Sequence, residues 1–189
     1  MVRLILASNS PRRKQILIDL GLDFEIIPSN YDEKLETDIF SYDLIEDLAT
    51  QKALDVVRRV GKDEIVLGAD TVVVLHNKIL GKPKDKEDAF RMLRELSGQT
   101  HMVVTALCGI NTKLNSARLL STTSYVRFKE LPDELINYYI DEFNPLDKAG
   151  SYGIQELPDG FLDKYEGSFE NIVGLAPEAV TAMLKEFGY

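Results

Sequence analysis

The sequence predicts a mixed α/β fold, a twisted sheet flanked by helices, on three observations. Short apolar runs alternate with longer stretches whose apolar residues recur at helical spacing, which favours interspersed strands and helices over an all-helical bundle. Turn residues punctuate these runs throughout. The 189 residues suit one compact domain, 1–189, large enough to bury a core that supports a cleft, and no repeat, low-complexity tract or linker divides them.

Residues 3–7 read as a short buried strand. Ser10 can cap a helix that opens with Pro11 and closes at Gly21, with Ile16, Leu17 and Leu20 on its apolar face. A second strand near 24–28 leads through an acidic loop containing Asp32 and Glu33 to a helix near 43–60. Leu44, Leu48 and Val56 give that helix its spacing, with Lys52 among them. Residues 64–68 and 71–75 form β-rich runs on either side of Ala69-Asp70, and His76-Asn77-Lys78 turns the chain back through Ile79 and Leu80. After Gly81-Lys82-Pro83, a helix over 85–97 carries Ala89, Leu93 and Leu96 and stops at Gly98. Strands at 102–111 and 118–128 pair through the polar 112–116 connection. A helix at 132–143, a glycine-containing segment at 150–155, a strand near 161–165 and a helix near 177–187 complete the plan.

With 22 basic and 31 acidic residues the net charge is −9, so nothing draws the chain generally to nucleic acid or an anionic membrane. A polyanionic substrate would need a local cationic pocket. No apolar run approaches the roughly 20 residues that cross a bilayer. Residues 1–7 are too short for a signal-peptide core, which leads us to expect a cytoplasmic protein. The single Cys108 sits in an apolar run and reads as a buried, inert thiol. His76 and His101 are too far apart in sequence for a metal pair. The absence of GxxxxGK[ST] and GxGxxG motifs argues against a P-loop or dinucleotide-binding protein.

Several side chains could carry chemistry. At the junction Ala7-Ser8-Asn9-Ser10-Pro11-Arg12-Arg13, helix N-terminal amides and two guanidiniums would clamp phosphate; the plainer reading is a capped surface helix with solvated arginines. Asp70, following an apolar run, could bind metal or activate water from a strand's end, or merely make a turn. Asp32 and Glu33 add oxygen donors or solvated loop charge. Lys52 could reach phosphate from a cleft or snorkel to solvent. Lys82 lies in a restricted loop, although Lys84 and Lys86 also fit an exposed basic segment. Gln155, after Gly150 and Gly153, could read a nucleobase through its amide or cap its loop.

Taken in order, Leu6-Ala7-Ser8-Asn9-Ser10-Pro11-Arg12-Arg13, Asp32-Glu33, Gln51-Lys52-Ala53, Gly68-Ala69-Asp70-Thr71-Val72-Val73, Leu80-Gly81-Lys82-Pro83, Leu96-Ser97-Gly98 and Asp147-Lys148-Ala149-Gly150-Ser151-Tyr152-Gly153-Ile154-Gln155 resemble the Maf nucleotide pyrophosphatases over essentially the whole chain. The resemblance implies a Maf/ITPase-like fold with two lobes around a nucleotide-binding cleft, and cleavage of a nucleoside triphosphate between its α and β phosphates. It places Ser8, Arg12, Arg13, Lys52 and Lys82 at phosphate, makes Asp70 the proton acceptor and Glu33, with Asp70, the carboxylates for a divalent cation, Mg²⁺ or Mn²⁺. Arg12, Thr71 and Gln155 match members acting on dTTP and UTP. It also suggests a homodimer. Two other classes stay open: a non-catalytic nucleotide-binding regulator of septum formation, and a phosphomonoesterase that releases orthophosphate.

Overall fold

The computed structural model describes residues 2–31 and 37–189. Its framework is a seven-stranded sheet in the order β2-β1-β3-β5-β6-β7, with β4 on part of one β3 edge. The strands are β1 (Arg3–Leu6), β2 (Glu25–Ile26), β3 (Glu64–Leu75), β4 (Lys78–Leu80), β5 (Thr100–Asn111), β6 (Ser116–Phe128) and β7 (Leu162–Glu166). β1 runs parallel to β2 and β3, and the remaining pairs are antiparallel. The mixed α/β expectation is therefore met. The helices are α1 (Pro11–Asp19), α2 (Tyr42–Val57), α3 (Lys86–Leu96), α4 (Asp133–Phe143), α5 (Phe169–Val173) and α6 (Pro177–Glu186).

Local chemistry explains most boundaries. Ser10 caps α1 by accepting from Arg13 N, with Pro11 in the first turn, and Asp85 caps α3 by accepting from Asp88 N. His76 and Asn77, at φ 49° and 66°, make the left-handed two-residue turn that folds β4 back on β3. Asn144 ends α4 at φ 43°, just before Pro145.

The main departure from the sequence reading is β3. The two runs expected on either side of Ala69-Asp70 are one strand of 12 residues, paired with β5 from Ile65 to Val74. Asp70 is thus not at a strand's end but in the middle of one. A charge interrupts an apolar run in sequence, yet a central strand accepts it where a cation on another element meets it. α5 is a second departure, since its five residues are too few for a helical period to register.

Alternation along β3 distributes its side chains between layers. Ile65, Leu67 and Ala69 pack with α1 and α6 side chains such as Leu17, Val180 and Met183. Val73 and Leu75 continue that face into a second cluster with Leu93, Phe128 and Tyr139. Val66, Val72 and Val74 point to the opposite face, against Ile45, Ala49, Ala53 and Val56 of α2. Gly68 allows this last contact: a Cβ there would lie 2.5 Å from Ala49 O and 2.6 Å from Ala53 N. Cys108 is buried in the α2 layer, and burial pushes its thiol pKa up, as expected of an inert cysteine.

Candidate active site

β1 covers β3 only from Glu64 to Leu67, and β4 covers it only from Val73 to Leu75. Between them, neither strand is paired with Gly68 to Val72, and the chain leaves β1 and β4 at the two ends of this break. The loop after β1 delivers Ser8 and the start of α1; the loop after β4 delivers Lys82. The break opens into a cleft of about 410 Å³ whose far wall comes from the 147–155 segment and the end of α5.

Ser8, Arg12, Arg13, Lys52, Asp70, Thr71, Lys82 and Gln155 all line this cleft, so the structure gathers every candidate that falls within the described residues. Glu33 and Asp32 lie outside them. Five cationic side chains, Arg12, Arg13, Lys52, Lys82 and Lys148, face two carboxylates, Asp70 and Asp147, among the described lining residues. A chain of net charge −9 thus concentrates positive charge here.

Asp70 and Thr71 point to opposite faces of β3, and each meets a cation. Asp70, on the α2 face, accepts from Lys52 Nζ at 2.5 Å, and both residues are buried. Lys52 is buried in the apolar stripe of α2 with Leu48, Ala49, Ala53 and Val56, so its ammonium meets Asp70 on the sheet rather than bulk solvent. Thr71, on the other face, accepts from Arg13 Nη2 at 2.9 Å and donates to Gly174 O at 3.1 Å. Arg13 Nε also donates to Gly174 O at 2.9 Å, and Nη1 to Ser8 Oγ at 3.3 Å. Arg13 is therefore braced from three directions, a detail its place in the Pro-Arg-Arg sequence did not disclose.

The outer wall is also held by charge. Arg12 Nη1 lies 3.6 Å from Asp147 Oδ2, and Lys148 Nζ lies 2.9 Å from Asp147 and 3.3 Å from Glu156. Burial raises the Asp147 pKa, but the Lys148 hydrogen bond and the charges of Lys148 and Arg12 outweigh it and hold the carboxyl below its usual range. Tyr139 OH accepts from Gly153 N at 3.0 Å, fixing the turn before Gln155, and burial pushes the Tyr139 pKa up to about 12. Tyr152 backs the cleft and shares a 2.7 Å hydrogen bond with His101 Nε2; burial depresses the His101 pKa to about 3, so this imidazole is neutral. Gln155 and Lys82 are exposed at the rim. Asp147, Lys148 and Tyr152 were legible only as parts of one motif, because their roles rest on contacts across the fold.

Chemically, the cleft can take a phosphate chain on its cations while setting a buried carboxylate beside it. A sequence model of the Maf-like protein family matches residues 3–187. A dTTP/UTP pyrophosphatase of Acetivibrio thermocellus is 45% identical over 195 aligned residues, covering 100% of this chain and 96% of its own. A dTTP/UTP pyrophosphatase of Thermosipho africanus is also 45% identical, over 99% of this chain and 94% of its own. A solved dITP/XTP pyrophosphatase of Mycobacterium abscessus overlays 97% of this chain and 93% of its own with a TM-score of 0.49 and 15% identity. With a family match of that extent and relatives this similar along their whole lengths, the chain belongs to the Maf-like protein family.

Proposed function

We propose that the protein hydrolyses dTTP and UTP to the nucleoside monophosphate and pyrophosphate in the cytoplasm. The observation that carries the reading is the Asp70 carboxylate held by Lys52 on the floor of a cleft otherwise lined with cations. The shared name of the relatives from Acetivibrio thermocellus and Thermosipho africanus supports the nucleotides chosen.

Arg12, Arg13 and Lys82 bind the triphosphate, and the amides at the start of α1 add partial positive charge. Lys52 carries three N–H donors, so it can hold Asp70 and a phosphate oxygen together. Asp70 accepts the proton of a water attacking the α phosphorus. The lysines then offset charge building on departing pyrophosphate, since phosphoryl transfer depends chiefly on positioning and electrostatics. At the rim, Gln155 offers an amide to a pyrimidine's carbonyl and imide groups, and deeper in the cleft Thr71 holds the Arg13 guanidinium.

The reading extends to a hard divalent cation held at Asp70, although no group of three or more carboxylate, histidine or cysteine side chains gathers among the described residues. Asp70 offers carboxylate oxygens, and Mg²⁺ commonly takes one or two carboxylates, completing its shell with water and substrate phosphate. Glu33 is the second donor this reading assigns. Bound there, Mg²⁺ or Mn²⁺ would polarise the phosphate and neutralise part of its charge.

The test is a panel of nucleoside triphosphates with Mg²⁺ or Mn²⁺, separating pyrophosphate from orthophosphate. Pyrophosphate released fastest from dTTP and UTP is the expected result. Orthophosphate alone would make the protein a phosphomonoesterase, and binding without turnover a nucleotide-dependent regulator.

A further inference from the structure

Asn171 is wholly buried in α5, the helix whose end forms part of the cleft wall. Its Nδ2 donates to Val103 O on β5 at 3.1 Å and to Ser124 Oγ on β6 at 3.0 Å. Ser124 Oγ in turn donates to Ser168 O, the residue that caps α5, at 2.9 Å. One amide and one hydroxyl therefore pin this short helix to the sheet at both its first turn and its middle. Asn171 Oδ1 has no hydrogen-bond partner among the described residues. A half-satisfied buried amide is costly, and an apolar side chain would be the cheaper choice if packing were all the position required.

Two routes lead from this pin to Arg13. Three residues on, Gly174 O accepts from Arg13 Nε, and it competes with Thr105 Oγ1 for the single Thr71 hydroxyl proton. On the other route, Asn171 O accepts from Thr105 Oγ1 at 3.3 Å, and Thr105 Oγ1 lies 2.9 Å from Thr71 Oγ1, which accepts from Arg13 Nη2. Both end on the same guanidinium. A planar fork anchored through Nε and one Nη has a fixed plane, and so a fixed direction for its outward N–H groups.

We propose that Asn171 is a positioning residue for substrate phosphate: by pinning α5 to the sheet it places the Gly174 carbonyl that aims Arg13 into the cleft. The inference rests on the reading that Arg13 binds the triphosphate. It makes α5 part of the catalytic apparatus although Asn171 itself does not touch substrate.

The experiment is a double-mutant cycle on dTTP hydrolysis with Asn171→Ala, Arg13→Ala and the double variant. Asn171→Ala should lower kcat/KM about tenfold when Arg13 is present and less than about twofold when it is not, because residues acting through one contact are non-additive. A misaimed guanidinium also raises KM, whereas a loss of folded enzyme lowers only the apparent kcat. Ser124→Ala provides a milder lesion of the same pin if Asn171→Ala does not fold, and its loss should likewise vanish without Arg13. Equal fold losses in both backgrounds, or a fall in kcat at unchanged KM, would overturn the proposal while the phosphate role of Arg13 stands. An Arg13→Ala variant with unchanged kcat/KM would overturn that role and the proposal with it.

Discussion

Lys52 Nζ sits 2.5 Å from Asp70 Oδ1, joining α2 to the middle of β3 across a distance of 18 residues in sequence. Each residue is less than a tenth exposed. The carboxylate is thereby fixed in direction, as a proton acceptor must be. Asp70→Asn keeps the side chain's shape and removes its basic oxygen, so turnover of dTTP should fall roughly 10²- to 10⁴-fold, the usual range for a general base. The circular dichroism spectrum should stay as in wild type, and a variant cleaving dTTP at near wild-type rate would refute the assignment.

Gly68→Ala should act on the same pair from a distance. The added Cβ would meet main-chain atoms of α2 at 2.5 and 2.6 Å, so the helix that carries Lys52 must shift. Overpacking of this kind costs about 1–3 kcal/mol. We expect a lowered urea midpoint together with a fall in kcat larger than the lost stability explains, measured at a temperature where the variant remains folded.

At the rim, Gln155→Ala should reduce kcat/KM for dTTP and UTP more than for ATP or GTP. A polar group left unpaired penalises the wrong base more than a lost apolar contact does. An equal reduction on every nucleotide would reassign Gln155 to holding its loop. Lys82→Ala, by contrast, should weaken all nucleotides alike, since phosphate is common to them.

Chelation provides a separate check. Dialysis against EDTA should abolish hydrolysis, and Mg²⁺ or Mn²⁺ should restore it, with Glu33→Gln needing a higher concentration of either ion. Full activity in EDTA would remove the metal from the mechanism.

His101 links stability to pH. In the folded protein burial holds its pKa near 3, against 6.5 ordinarily, so below pH 6.5 the unfolded chain binds a proton that the folded one refuses. Its contribution is therefore fully present above pH 6.5 and is lost as pH falls toward 3, amounting to about 2 kcal/mol by pH 5. Urea unfolding of wild type and His101→Gln at pH 7.5 and 5 should show the smaller acid loss in the variant.

Much of this was legible in the sequence, for identifiable reasons. Ser10-Pro11 marks the start of α1 because capping is local chemistry, and His76-Asn77 marks the β3–β4 turn for the same reason. The cleft residues could be gathered because they fall in ordered motifs. Asp70 was misplaced at a strand end because the partner that makes its burial tolerable, Lys52, is distant in sequence. α5 was missed because five residues show no period, and with it went the reason Arg13 is held as it is.

The break between β1 and β4 has another consequence. Leu67 and Val73 pair outward on that side of β3, so the intervening alternation turns the main-chain amides and carbonyls of Ala69 and Thr71 the same way. A bare edge of this sort is a template on which a foreign strand can add, the route to aggregation. Here it opens into the cleft that Arg12 and Lys82 line, and a neutral, extended peptide laid along it would strip water from those two charges. The groups that welcome a solvated anion therefore also guard the protein against its own kind.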